Sequence, residues 1–175
     1  VPLALGIASS ARTGYWLGAG QPQRARQAAV LGISLAIGAA ALCAAALLLG
    51  REAIAHAFTN DPMVAKTAML WLAWVAVYHL ADAVQAVCAF LLRCYRITIA
   101  PLLIYTAFLW GFGLYGGYLW AYEDSALSGW LQWTGRPAVD TFWISSSLAL
   151  AAVSVLFAVL VWRASRPLPH RSAVD

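Results

Sequence analysis

An all-α membrane protein is the fold class this sequence predicts, with four full transmembrane helices preceded by the end of a fifth. Two observations carry that expectation. The 175 residues are 63% hydrophobic and only 10% charged, whereas a soluble domain holds about 25% charged residues. The apolar residues also come in long continuous runs, and about 20 in succession suffice to cross a hydrocarbon core as a helix. A mean hydropathy of +0.75 agrees. A soluble helical protein would instead show apolar stripes at a 3.6-residue period with polar faces between them.

The elements follow in order. Residues 1–18 look like the end of a truncated transmembrane helix, closing in Gly18-Ala19-Gly20-Gln21-Pro22. The chain starts at Val1, inside an apolar element and with no charged region followed by a cleavage site, so it reads as a piece of a longer protein rather than a signal peptide. Residues 28–50 form the first full span, with Gly32, Ser34 and Gly38 expected to let neighbouring helices approach closely. The second span, 67–92, carries Asp82. In the third, 98–122, Pro101 sits near the start, where proline costs a helix least. Gly111, Gly113, Gly116 and Gly117 in that span predict either a bend or unwound stretch lining a cavity or a simple close-packing contact. The fourth span is 141–162, and residues 163–175 form a tail.

Lys and Arg in the connections give the orientation. Arg24, Arg26, Arg93, Arg96, Arg163, Arg166 and Arg171 fall on one side, and Arg51, Lys66 and Arg136 on the other. Basic residues favour the cytoplasmic side, which predicts a cytoplasmic tail. Trp71, Trp74, Trp120, Trp130, Trp133 and Trp143 cluster around the opposite connections, as an interfacial aromatic belt would.

Asp82 is the most informative residue. It lies 11 residues before Arg93, roughly 16 Å at helical rise, and a half-core is about 15 Å. A carboxylate that deep costs at least ~2.5 kcal/mol on insertion scales, so such groups usually face a bundle interior or a path for ions or substrate. Tyr78 and Gln85 stand one turn before and three residues after it, on one helix face. A carboxylate, a phenol and an amide are hard oxygen donors suited to Na⁺, and the carboxylate can alternatively carry a proton. His79, three residues before Asp82, is a possible partner and, like Gln85, a candidate for lining a cavity. Against this stands a plain packing role for Asp82, His79 and Gln85, as polar groups that hold helices together.

Other chemistries find no footing. The net charge of +4 is spread singly or in pairs between apolar runs, without a nucleic-acid-binding stripe or motif. Arg24/Arg26 and Arg93/Arg96 read as anchors at lipid headgroups. Cys43, Cys88 and Cys94 form no Cys-x-x-Cys pair and read as small buried apolar residues. No phosphate loop, nucleophile elbow or paired-histidine motif is present, and Ser145-Ser146-Ser147 lacks a nearby histidine, so no enzyme is indicated. The aromatic positions Tyr105, Phe108, Trp110, Phe112, Tyr115 and Tyr118 either stack on flat cations or simply face lipid and core.

At these residues the chain resembles the C-terminal portion of multidrug and toxic compound extrusion (MATE) transporters of the NorM type. The likeness starts at Pro2-Leu3-Ala4-Leu5-Gly6 and runs through Arg12-Thr13-Gly14-Tyr15-Trp16-Leu17-Gly18. It is strongest at Tyr78 with Asp82-Ala83-Val84-Gln85, followed by Leu92-Arg93-Cys94-Tyr95, where the family has glycine at the position of Cys94. The resemblance implies a twelve-helix parent in two lobes, with this chain covering the end of the eighth helix and helices nine to twelve. It implies a multi-pass protein of the bacterial inner membrane that exports organic cations and hydrophobic drugs by antiport with Na⁺ or H⁺, without a cofactor. Asp82 and Tyr78 then match the family's cation-coupling aspartate and tyrosine, with Asp82 as the Na⁺ ligand if sodium is the coupling ion. The missing N-terminal lobe and the lipid bilayer would be its partners.

Two rival readings come from other classes. A lipid-linked oligosaccharide flippase of the same superfamily would need basic residues at mid-helix, and these spans offer almost none. In a non-transporting structural subunit Asp82 would be helix glue alone.

Overall fold

The computed structural model describes residues 1–122 and 138–166, with the side chains of residues 138–140 not described. Five helical elements account for nearly all of them: α1 (Pro2–Gly18), α2 (Pro22–Phe58), α3 (Pro62–Cys94), α4 (Ile99–Tyr122) and α5 (Ala138–Ala164). The sequence expectations on Trp130, Trp133, Arg136 and Arg171 lie outside the described residues.

The helix starts are written in the chain. Pro2, Pro22 and Pro62 each stand at the first helical turn, where the missing N–H is no loss and φ is already helical. Asp61 caps α3, its Oδ1 accepting from the backbone N–H of Met63 at 2.8 Å and of Val64 at 3.3 Å. The turn between α1 and α2 places Gly20 at φ 69°, a left-handed conformation that glycine adopts without steric cost.

α2 and α3 contain 37 and 33 residues, more than a bilayer core requires. Each therefore extends beyond its apolar span. Polar residues such as Arg24, Arg26, Arg51 and Glu52 form helix as readily as apolar ones, so α2 stops only at Thr59-Asn60-Asp61-Pro62. Four helices are long and apolar enough to cross a membrane, with mean hydropathy from 1.5 to 2.4 over their best windows.

α1, α2 and α3 pack on one another, α5 packs on α3, and α4 packs on α5 with scarcely any contact to α3. α2 meets its neighbours with a row of small residues, Ala25, Ala29, Gly32, Ala36, Ala40 and Ala44, all buried. A side chain at Gly32 would collide with Ser9 of α1, so close approach is real there. Ser34 and Gly38 are exposed and contribute nothing to this contact, because they sit on the opposite side of the helix. The apolar centre is formed by Val87, Leu91 and Leu92 of α3 with Val153, Phe157 and Val161 of α5.

α4 stays helical throughout, with Thr106–Gly116 wound as a π-helix, a wide form that is rare and tends to occur near functional sites. The reason lies in its contact with α5. Gly113 and Gly117 are buried, and a Cβ on Gly117 would stand 2.5 Å from Ser145 Oγ and 3.1 Å from the Phe142 ring. Ser145 Oγ donates to the Gly113 carbonyl at 2.8 Å as well as to Phe142 O of its own helix at 3.1 Å. The glycines serve close packing of a widened helix, and the first serine of the triplet locks it.

Candidate functional site

The helical repeat divides α3 into two faces. Ala76, Ala83 and Val87 are buried, whereas Tyr78, Asp82 and Gln85 lie together on the other side and are half-buried. At about 100° per residue Trp71, Tyr78, Asp82, Gln85, Ala89 and Arg93 fall within one narrow stripe. This stripe faces α5 and the space between α3 and α4.

The upper part of the stripe is aromatic. Trp143 of α5 stands edge-on to Trp71 at 5.8 Å and 89°, and edge-on to Tyr78 at 6.1 Å and 86°. Trp71 and Trp143, expected in an interfacial belt, thus also form a packing contact between α3 and α5. Tyr78 lies within electrostatic reach of both Asp82 and Tyr105 of α4.

Below Asp82 the stripe opens into a cleft of about 370 Å³. Gln85, Ala89 and Arg93 of α3 form one wall, Thr98 and Tyr105 the other, and Phe157 of α5 contributes to its lining. It exists because α3 and α4, though joined by a link of only a few residues, lean on α5 instead of on each other. The cleft carries the polar line from mid-helix toward Arg93.

Each residue singled out from the sequence has a definite place. Tyr78, Asp82 and Gln85 share one face. Gln85 lines the cleft and His79 does not. His79 is half-buried, about 60° around the axis from Asp82, and among the described residues the two form no hydrogen bond or ion pair. Among the six aromatic positions of the third span, Tyr105 lines the cleft, while Trp110, Phe112, Tyr115 and Tyr118 are exposed. No group of three or more His, Cys, Asp or Glu gathers among the described residues.

Sequence reasoning missed two contributions. Trp143 was legible only as a belt residue, because nothing in a linear pattern pairs α5 with the Tyr78 face. Cys94 is half-buried and donates its S–H toward the Ser10 carbonyl of α1 at 3.3 Å, which is more than apolar filling. Cys88 is fully buried, as its apolar neighbourhood predicted.

Among the described residues, all the arginines except Arg51 gather at one end of the bundle. α1 turns into α2 there, α3 ends there beside Ser10, and α5 runs parallel to α3, so that Phe157 lies near Arg93. Arg24 stacks on Trp16 at 4.8 Å, Arg93 on Phe90 at 5.0 Å and Arg166 on Trp162 at 3.7 Å.

Comparisons with known proteins agree on one family. The sequence profile of MatE matches residues 1–119. A probable multidrug resistance protein NorM from Aromatoleum aromaticum is 35% identical over 161 residues, covering 92% of this chain and 34% of the relative. Multidrug resistance protein PmpM from Pseudomonas aeruginosa is 32% identical over 166 residues, with 95% and 33% covered. Multidrug resistance protein MdtK from Pectobacterium atrosepticum is 33% identical over 156 residues, with 89% and 33% covered. The chain therefore spans about a third of the length of the curated relatives it matches.

Proposed function

The chain belongs to the MatE family, and from that premise we propose that it forms part of a cation-coupled exporter of organic cations and hydrophobic drugs. The observation that carries this reading is the polar stripe of α3, with Tyr78, Asp82 and Gln85 on a half-buried face that continues into the cleft between α3, α4 and α5. A carboxylate held purely for packing would be expected on the buried face, where Ala83 and Val87 lie.

Asp82 takes the coupling Na⁺ or H⁺, with the Tyr78 oxygen as a neighbouring donor. Trp143 holds the Tyr78 ring from the side and so limits where its hydroxyl can point. One carboxylate and one phenol do not fill the shell of a hard cation, so Na⁺ needs further oxygen ligands, of which the Gln85 amide on the same face is one candidate. Cation arrival from the side opposite the arginines favours one arrangement of the helices, and export follows by alternating access. The cation can shift that balance only by its differential affinity for the two arrangements. In this reading the arginine-rich end is cytoplasmic, in keeping with the bias of basic residues, and the multi-pass chain resides in the inner membrane.

Efflux of a fluorescent cationic dye by cells making a transporter that carries this sequence tests the reading, wild type against Asp82→Asn at matched membrane level. Loss of efflux places Asp82 in the coupling step. Unchanged efflux reduces Asp82 to packing. A wild type with no efflux of any cation shifts the substrate toward lipid-linked sugars.

A further inference from the structure

We propose that the crevice between the end of α1 and the start of α2 is a binding site for one acidic phospholipid, with the phosphate held by Arg12 and Arg24. This inference does not depend on the transport reading.

Three observations support it. First, Arg12 and Trp16 from α1 and Arg24, Gln27 and Leu31 from α2 line a common cleft of about 330 Å³. A second cleft of about 590 Å³ shares Gln27 and Leu31 with it and adds Arg26 and Val30. Second, among the described residues no carboxylate answers these arginines. The first acidic residue in the sequence is Glu52, 26 residues beyond Arg26 on the same helix and so roughly 39 Å away. Asp61 lies at that same far end and Asp82 at mid-bundle, so among the described residues this end holds cations alone. Third, the clefts join two chemistries. Arg24 lies over the Trp16 ring at 4.8 Å, which restrains it at the mouth of the cleft, and a guanidinium suits bidentate contact with a phosphate. About two turns further along α2, Val30 and Leu31 are 55% and 53% exposed, an apolar track leading toward the membrane-spanning part of the helix.

A phosphodiester with attached acyl chains matches this arrangement better than a free anion, which would use the arginines and leave the apolar track bare. Gln27, at the junction of both clefts, can donate to a headgroup oxygen. Phosphatidylglycerol has the required charge, and phosphatidylcholine has the same phosphate cancelled by its own cation.

Native mass spectrometry of the purified protein, titrated separately with phosphatidylglycerol and phosphatidylcholine, tests the site. Wild type should retain phosphatidylglycerol preferentially. Arg12→Gln and Arg24→Gln should each weaken it about fivefold, the usual worth of one basic residue near a lipid surface. Arg163→Gln, at the same end but outside the crevice, should leave it unchanged. Arg12→Lys with Arg24→Lys keeps the charge and should retain most binding, which separates lost contact from lost folding. Equal retention of both lipids, or equal weakening by Arg163→Gln, would overturn the proposal in favour of diffuse surface charge. Complete displacement of phosphatidylglycerol by inorganic phosphate would overturn it in favour of a free-anion site.

Discussion

Trp143 stands edge-on to Tyr78 across the α3–α5 contact, with ring centroids 6.1 Å apart and planes at 86°. The residue one turn before Asp82 is thus positioned by a helix that begins 60 residues later in the chain. Trp143 meets Trp71 as well, so one side chain clasps two turns of α3.

Replacing Trp143 with alanine should loosen that clasp. Aromatic pairs contribute ~0.5–1.5 kcal/mol each beyond their buried area, so losing both should cost about 1–3 kcal/mol. Thermal unfolding in detergent reads the loss, and Trp143→Phe should recover part of it. Dye efflux by Trp143→Ala should fall at unchanged membrane level, because Tyr78 is no longer held. Full efflux from that variant would show that the Tyr78 orientation is immaterial.

The glycines of α4 should differ sharply from one another. Gly117→Ala introduces a Cβ 2.5 Å from Ser145 Oγ and should destabilise by about 1–3 kcal/mol, as overpacking does. Gly111 has open space around its Cβ position, so Gly111→Ala should be tolerated. Ser145→Ala alone removes the bond to Gly113 O and should cost about 1 kcal/mol. Combined with Gly117→Ala it also removes the clashing oxygen, so the double variant should be more stable than the sum of the two losses. A double-mutant cycle on thermal midpoints measures that coupling, and strict additivity would contradict the packing described here.

The turn after α3 makes a third prediction. Arg96 has φ 59°, and its neighbours close the helix end, with Ile97 N–H donating to Leu92 O at 3.0 Å. A non-glycine residue in the left-handed region costs roughly 1–2 kcal/mol, so Arg96→Gly should raise the unfolding midpoint. Cys94 is still inside α3, where glycine costs about 0.5–1 kcal/mol relative to alanine. Cys94→Gly should therefore lower the midpoint and free the Ser10 carbonyl of α1 as well. A rise with Cys94→Gly would place the strain at the wrong residue.

Much of the architecture was legible in the residues. Continuous apolar runs leave a chain little choice but helices in a membrane, because only internal hydrogen bonding satisfies the backbone in lipid. The helix starts at Pro22 and Pro62 lie five or six residues before the expected spans 28–50 and 67–92, because hydropathy marks only the apolar part of a helix. Asp82, Tyr78 and Gln85 could be aligned from spacing alone, since the helical repeat determines which positions share a face.

The rest depended on contacts between segments distant in sequence. Four closely spaced glycines allow a bend, an unwound stretch or a close contact equally well. Ser145 of α5 decided among them by bonding Gly113 O, which leaves α4 a continuous, widened helix. The reach of the stripe into a cleft likewise follows from α3 and α4 both leaning on α5. The sequence by itself determined a set of membrane-length helices and the face on which Asp82 lies, because those follow from hydropathy and a fixed repeat. Only tertiary structure decided which helix stands opposite that face and where an opening remains, because packing joins side chains that no local rule brings together.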